Sequence, residues 1–223
     1  MGTDSKIFRP RRFARSARSL ATALALGLVA LAGAVPAANA EGDLDPTESA
    51  MTGGKGWSQT PCPEAIAEYP FKRFGDNAQY GLVSRGDFES SSRGWSMQNA
   101  GIELGNEELG VRAGTRSLKL APGAVVTSPA HCVGAEYPYF RFLAQGRSGS
   151  LKVEVIATES GYVIGVGRLY ATRSWQVSPI LSAAAALPLH PGNYTQIQFR
   201  FTVVGASNPW AIDNVYLDPT HRR

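Results

Sequence analysis

The residues and motifs on which most enzymes and metal sites depend are scarce in this sequence. It contains two cysteines and three histidines, and His131, His190 and His221 are too scattered along the chain to predict a shared site. It has no H-E-x-x-H, no G-x-S-x-G and no glycine-rich phosphate loop. These absences argue against a zinc peptidase, a serine hydrolase and a P-loop nucleotide-binding enzyme.

Paired carboxylates suited to glycosidic cleavage are also missing. Glu107 and Glu108 are adjacent, so they point to opposite sides of a strand or lie in a loop. Glu154 shares a polar strand face with Lys152, which is typical of a solvated ion pair. We therefore predict that the protein is not an enzyme. A small polysaccharide-cleaving enzyme is an alternative that would need a carboxylate or His–Tyr cluster in a groove.

The chain has no positive charge excess once its amino terminus is set apart. Residues 1–40 carry six of the 22 Lys and Arg and one of the 18 Asp and Glu, so the remainder has 16 basic and 17 acidic residues. This balance gives no electrostatic basis for binding nucleic acid or an anionic membrane. The basic character of the whole chain comes from its first forty residues.

Those forty residues have the organisation of an export signal. Basic residues precede an apolar run of 16 residues, 20–35, which is followed by Ala38-Asn39-Ala40. This order is typical of a secretory signal peptide, and the run is shorter than the roughly 20 apolar residues of a membrane-spanning helix. We predict a signal peptide over 1–40 with cleavage after Ala40, an uncleaved anchor being the alternative. No later apolar run could cross a membrane, so we expect the mature chain to be secreted or extracytoplasmic.

Cys62 and Cys132 are the only cysteines. In an oxidising compartment an isolated pair is most simply a disulfide. The alternative is a nucleophilic thiol or a metal pair, although the spacing does not suit zinc.

The remainder of the chain divides by composition. Residues 41–60 are rich in Gly, Ser, Thr and charge and are predicted to be a flexible linker. Residues 61–81 are predicted to be an irregular segment stapled by the disulfide. Residues 82–219 are predicted to form one β domain, and 220–223 a short tail.

The β prediction depends on alternation. Within 196–203, Ile197, Phe199, Phe201 and Val203 alternate with polar residues, as in a strand with one buried face. Further candidate strands, separated by Gly and Pro, are 117–120, 124–128, 139–144, 151–157 and 211–217. Many short strands without a repeated helical pattern predict an all-β, antiparallel β-sandwich.

Three motifs resemble one family in the order that the family has them. They are LVSRGDFESSSRGW (82–95), GTRSLKL (114–120) and WAIDNVYLDP (210–219). They resemble the first strand, the second strand and the last strand of galactose-binding-like jelly-roll domains, the fold of many carbohydrate-binding modules. The resemblance implies a jelly roll over 82–219 in which the first and last strands lie close together.

The resemblance also implies a structural Ca²⁺ between those strands. Glu89 and Asp213 would be its side-chain ligands, and Asn214 stands where the family more often has a second Asp, so it would bind through its carbonyl oxygen. The alternative is that Glu89 caps a turn and Asp213 pairs with an arginine. Phe88 and Trp95 of the first motif are expected to fill the core.

Exposed aromatic residues are the remaining candidates for ligand contact. Sugar-binding modules stack Trp or Tyr on pyranose rings, and Tyr162, Tyr170 and Trp175 lie in the middle of the domain. Core packing is the alternative for each of them. We therefore expect a non-catalytic module that binds glycans or other envelope components. A structural or protein-adhesion domain of the envelope is the second hypothesis.

Overall fold

The computed structural model describes residues 58, 62–63, 66–134, 139–187 and 192–218, all within one compact unit, 46–223. The predicted signal peptide with its cleavage site, almost all of the predicted linker and the tail at 220–223 lie outside the described residues. No helix in the described part is long and apolar enough to span a membrane.

The described residues form short and long strands with two single turns of 3₁₀ helix. The strands, numbered β1 to β12 in chain order, are Ala67–Glu68, Tyr80–Leu82, Ser96–Leu104, Arg116–Thr127, His131–Gly134, Tyr139–Gly146, Ser150–Ala157, Tyr162–Tyr170, Gln176–Val177, Leu181–Ser182, Tyr194–Val204 and Trp210–Asp218. The 3₁₀ turns are Lys72–Phe74 and Ala184–Ala186.

The strands build two layers that share β3 and β4. In the first sheet, the carboxyl-terminal half of β4 pairs with β11, which continues to β7 and β8, and β5 also pairs with β11. In the second sheet, the amino-terminal half of β4 pairs with β12, which continues to β6 and β2. These pairings are antiparallel, so the prediction of an all-β, antiparallel jelly-roll sandwich is confirmed.

β4 corrects one detail of the sequence interpretation. Pro122-Gly123 was expected to separate two strands, but β4 is continuous from Arg116 to Thr127. Leu120 pairs with β12, whereas Val125 pairs with β11, so the strand crosses from one sheet to the other at this point. Gly123 has φ +75° there, a conformation that favours glycine.

The main core lies between the two sheets. The inward residues of β11 alternate along the strand as predicted and are 0–2% exposed: Ile197, Phe199, Phe201 and Val203. Two of them meet β6 across the sandwich, with ring centroids 4.3 Å apart for Phe140 and Phe199 and 4.9 Å apart for Phe142 and Phe201. Burying each such ring contributes about 1.5–3 kcal/mol, so these contacts hold the layers together.

A second, smaller core covers the outward side of the second sheet. Leu143 and Tyr216 point outward from β6 and β12, and the segment before β3 supplies Phe71 and Tyr80 to pack on them. Phe71 meets Tyr80 and Tyr216 edge to face at 5.0 and 5.7 Å. We call this side of the sandwich the covered face.

Polar contacts hold residues 67–82, which we call the covering segment, against the second sheet. Arg141 of β6 lies 2.9 Å from Asp76, whose carboxylate also accepts a 2.7 Å hydrogen bond from the Tyr80 hydroxyl. Glu68 lies 2.8 Å from Arg112. The segment predicted to be irregular thus contains β1, β2 and a 3₁₀ turn, and it is bound to the second sheet.

The disulfide is present as predicted. Cys62 and Cys132 are joined with an S–S distance of 2.07 Å and a Cα–Cα distance of 5.4 Å. Cys132 lies on β5, which pairs with β11, so the bond connects the residues before the covering segment to the first sheet.

Candidate functional site

The first motif is held against the last strand by backbone hydrogen bonds. Val83 donates to the carbonyl of Val215 at 2.9 Å, and Val215 donates to the carbonyl of Gly86 at 3.0 Å. A Cβ on Gly86 would lie 2.9 Å from the Val215 oxygen, so this approach requires glycine. Phe88 is fully buried and packs on Trp95 with ring centroids 4.9 Å apart, which confirms both as core residues.

An acidic cluster lies where these segments meet, formed by Glu89, Glu107, Asp213 and Asn214. Asp213 is fully buried, and its two oxygens accept backbone hydrogen bonds from Asn214 at 2.8 Å and Glu107 at 3.4 Å. Burial raises the pKa of Asp213 to about 8, and the negative charges of Glu107 and Glu89 add to the shift. In the described part of the chain no arginine or lysine forms an ion pair with Asp213, contrary to the alternative interpretation.

Glu107 holds the loop 107–112 in place, a role that its sequence context did not predict. Its carboxylate accepts backbone hydrogen bonds from the four residues Leu109, Gly110, Val111 and Arg112, at 2.5–3.1 Å. A single acid that binds four consecutive N–H groups replaces the hydrogen bonds that a regular element would provide. The only sequence signal was an acid a few residues before a glycine in a polar loop, which is common on protein surfaces.

Glu89 terminates the turn that leads into β4. Its carboxylate accepts hydrogen bonds from the backbone of Thr115 at 2.9 Å and of Arg116 at 2.8 Å. Partial burial favours the neutral acid, but these N–H groups outweigh it and hold the pKa below its ordinary value. A Cβ at Gly114 would clash with oxygens of both Glu89 and Asn106. Side-chain oxygens therefore converge on the start of β4.

Asn214 completes the cluster. It is 1% exposed, its φ is +50°, and its side-chain nitrogen is buried without a hydrogen-bond partner in the described structure. Across the described ranges, however, no group of three or more His, Cys, Asp or Glu side chains is arranged to hold a metal ion.

The outward side of the first sheet contrasts with the covered face. Side chains directly opposite each other in paired strands share a face, which gives the members of this surface: Gln98 (β3), Val125 and Thr127 (β4), Lys152, Glu154 and Ile156 (β7), Val163, Arg168 and Tyr170 (β8), and Gln198, Arg200 and Thr202 (β11). All of them except Glu154 are at least partly exposed. We call this surface the open face.

Glu154 lies at the centre of the open face between two cations. Lys152 approaches it to 2.6 Å and Arg200 to 2.9 Å, while the Glu154 side chain is only 7% exposed. The hydrogen bond from Arg200 is the main cause that holds the pKa of Glu154 below its ordinary value, with Lys152 adding to it. The carboxylate is therefore ionised at neutral pH and cannot act there as a proton donor.

The three predicted aromatic residues occupy three different environments. Tyr170 is 73% exposed on the open face opposite Ser150, and Tyr162 is 67% exposed opposite Ala157. A β-bulge between them inserts Val166 without a partner and shifts the register by one, so the two tyrosines lie on opposite faces of β8. Trp175 is 8% exposed in the core under the covered face, so its ring offers little surface to a sugar.

A partly buried histidine, His131, lies on β5 beside the disulfide. His131 lines a cavity of about 370 Å³ together with Cys62, Leu82, Gln196 and Leu217 and further residues. Its Nε2 atom is buried and has no partner among the described residues. Burial alone lowers the pKa of His131 to about 4, so the ring is neutral in the folded protein at pH 7.

Comparisons with known proteins find similarity only at the level of structure. No protein-family model matches the chain, and no curated protein matches it. A bacteriophage CBA120 tailspike protein 4 domain matches 61% of this chain with 18% identity and a TM-score of 0.45, and the match spans 21% of the tailspike chain.

Two smaller proteins match over most of their own lengths. The K1 cleaved adhesin domain of Lys-gingipain from Porphyromonas gingivalis matches 59% of this chain and 94% of its own, with 12% identity and a TM-score of 0.44. The carbohydrate-binding module TmCBM61, in complex with β-1,4-galactotriose, matches 61% of this chain and 96% of its own, with 16% identity and a TM-score of 0.40. Each of these matches has a TM-score of 0.45 or below, and the jelly-roll β-sandwich of this chain is established by its own strand pairing.

Proposed function

We propose that the protein is an exported, non-catalytic module that binds glycans on its open face. The observation that carries the proposal is the contrast between the two outward sheet surfaces. One is covered by the segment that contains Phe71 and Tyr80. The other is polar and partly exposed, and Tyr170 lies at its edge with 73% of its surface accessible.

The open face offers the two kinds of contact that sugars use. A pyranose ring presents an apolar side that packs on an aromatic ring and hydroxyls that need hydrogen-bond partners. Tyr170 supplies the aromatic ring. Gln98, Thr202 and Arg168 supply donors and acceptors on the neighbouring strands.

The chemistry of the same surface supports a non-catalytic role. Glu154 is the acid that β7 contributes to the open face, and Lys152 and Arg200 keep it ionised. A glycosidase needs a second carboxyl group facing the first across the scissile bond. The described residues of β8 and β11 place none opposite Glu154, where Gly165 and Arg200 lie instead.

Export is supported by the disulfide as well as by the amino-terminal sequence. Disulfides persist in oxidising compartments and are rare in the cytosol, and Cys62 and Cys132 are bonded. Purified secreted protein should therefore begin at Glu41, as amino-terminal sequencing can establish.

Affinity electrophoresis through gels that contain single polysaccharides tests the glycan proposal. Tyr170→Ala should weaken retention about tenfold, because a lost ring–sugar contact of about 1.5 kcal/mol corresponds to that factor. Tyr162→Ala is the matched control, since it removes an equally exposed ring from the opposite face of β8. Equal weakening of retention by both variants would contradict the proposal. So would a wild-type protein that is not retained by any of the polysaccharides.

We also propose that Ca²⁺ binds at the acidic cluster, with Glu89 and Asp213 as carboxylate ligands and Asn214 as a carbonyl ligand. The carboxyl of Asp213, which is buried and has no cationic partner among the described residues, supports a site that favours a hard cation. A bound cation would offset the burial and the negative charges of Glu107 and Glu89 that raise the pKa of Asp213. Its role would be to fasten the first motif to β12.

Thermal unfolding in EDTA and then in Ca²⁺ tests this second proposal. Binding to the folded state raises the melting temperature. Asp213→Asn should abolish the rise, while Asp87→Asn, which changes a neighbouring acid ion-paired with Arg112, should retain it. No rise in the wild type, or an equal rise in both variants, would leave Asp213 as a buried protonated carboxyl without a metal.

A further inference from the structure

We infer that the glycan bound by the open face is acidic, with carboxylate or sulfate groups along its repeat. This inference rests on the proposed glycan binding and adds the class of ligand. Its basis is the net positive charge of the open face, whereas the chain beyond residue 40 as a whole is close to neutral.

Three cations and one carboxylate are the charged side chains of the open face in the described structure. Lys152, Arg168 and Arg200 oppose the single Glu154, which leaves two positive charges on a surface of three neighbouring strands. The chain beyond residue 40 has 16 basic and 17 acidic residues. The positive charge is therefore a local property of this surface and not of the protein as a whole.

Lys152 and Arg168 lie directly opposite each other on β7 and β8. Like charges in this arrangement destabilise a sheet. Lys152 turns toward Glu154, but Arg168 donates its hydrogen bond to the neutral hydroxyl of Ser150 at 2.8 Å. No carboxylate of the described residues lies within ion-pair distance of Arg168, so this exposed guanidinium is left to pair with an anion from solution.

Arg168 and Tyr170 lie two residues apart on the same face of β8. That spacing is about 7 Å along a strand, which is close enough for one sugar residue to pack on the Tyr170 ring while an acidic group on it or its neighbour reaches Arg168. Guanidinium binds carboxylate and sulfate through paired hydrogen bonds. Lys152 lies across the strand pair and would approach the same group.

An acidic glycan suits the charges of the open face better than a neutral glycan does. A neutral polymer could pack on Tyr170, but it would leave the guanidinium of Arg168 in the contact without an anion, since its partner among the described residues is the neutral hydroxyl of Ser150. An acidic polymer removes the repulsion between Lys152 and Arg168. Glu154 is already held by two cations, so it repels such a ligand less than a free carboxylate would.

Pairs of polymers that differ in charge test whether the ligand is acidic. The full chain, purified with its disulfide intact, is titrated with polygalacturonate and with its methyl ester, which has the same backbone without the charge. Dextran sulfate and dextran form a second pair that distinguishes sulfate from carboxylate. At least one charged member should bind tenfold or more tightly than its neutral partner, and the difference should fall when NaCl is raised from 50 to 500 mM.

Substitutions of single cations test whether the charged polymer binds on the open face. Arg168→Gln should weaken binding of the charged polymer about tenfold, and Lys152→Gln should weaken it in the same direction. Lys119→Gln is the control, because Lys119 lies on β4 opposite Ala211 in the second sheet. Melting temperatures of the variants, compared with that of the wild type, establish that each is folded.

Two results would overturn the inference, and they differ in what they leave standing. Equal binding of a charged polymer and its neutral partner, unaffected by Arg168→Gln and Lys152→Gln, would overturn the acidic ligand but leave glycan binding intact. Binding of none of the four polymers, nor of neutral galactan and xylan added to the series, would overturn both the inference and the proposed function.

Discussion

The disulfide offers the sharpest quantitative test of how this fold is stabilised. Replacing both Cys62 and Cys132 by serine opens a loop whose ends are 70 residues apart in sequence. In the chain-entropy model such a loop removes about 15 cal/mol/K from the unfolded ensemble, or about 4 kcal/mol at 25 °C. For a domain of this size that loss lowers the melting temperature by about 10–15 °C.

The folded state should tolerate the double substitution. The covering segment keeps its ion pairs between Arg141 and Asp76 and between Arg112 and Glu68, at 2.9 and 2.8 Å. The loss should therefore act mainly through the unfolded chain and leave the folded structure in place.

Urea denaturation followed by tryptophan fluorescence measures the difference directly. The free energy of unfolding of Cys62→Ser/Cys132→Ser should lie about 4 kcal/mol below that of the oxidised wild type. Dithiothreitol is the control, because it should bring the wild type down to the variant and leave the variant unchanged. A difference below about 1 kcal/mol would refute the entropic account, as would a reduced wild type as stable as the oxidised one.

Three further predictions concern single residues. Burial lowers the pKa of His131 to about 4, so the stability contributed by the neutral ring is complete above pH 6.5 and is lost as pH falls toward 4. His131→Gln should therefore flatten the fall of the urea midpoint over that range. An unchanged pH profile would contradict this. Gly86→Ala should destabilise the fold by about 1–3 kcal/mol in urea denaturation, because the new Cβ would lie 2.9 Å from the Val215 oxygen; a neutral effect would show that the first motif can move away from β12. Trp175→Ala should cost about 3–5 kcal/mol by the same measurement and leave glycan affinity unchanged, because the ring is buried under the covered face; weaker glycan binding by a folded variant would place this residue in the site.

Strands with one buried face were the most predictable part of the fold. The alternation in 196–203 identified the inward side of β11 because each apolar residue there meets the main core. β3 and β8 were not identified, since their burial patterns are mostly exposed or intermediate and lack such alternation. Pro122-Gly123 resembles a turn in sequence, yet β4 continues through it from one sheet to the other.

The candidate sites were harder to predict because they depend on register and on long-range contacts. Tyr162 and Tyr170 are eight positions apart, and an even spacing places two side chains on the same face of a regular strand. The bulge at Val166 reverses that result, and its local signal, the flanking Gly165 and Gly167, does not by itself give the register. The covered face could not be foreseen either, because it forms only when Phe71 and Tyr80 pack on strands far away in sequence.

The central claim is that the open face binds a glycan, and mapping that binding on the protein tests it most directly. In a ¹⁵N-labelled sample titrated with a retained polysaccharide, backbone amide shifts should change on β7, β8 and β11, with the largest changes around Arg168 and Tyr170. Amides of the covering segment around Phe71 and Tyr80 should remain unchanged. Shifts confined to the covering segment, or the absence of any shift with a polysaccharide that retains the protein, would contradict the claim.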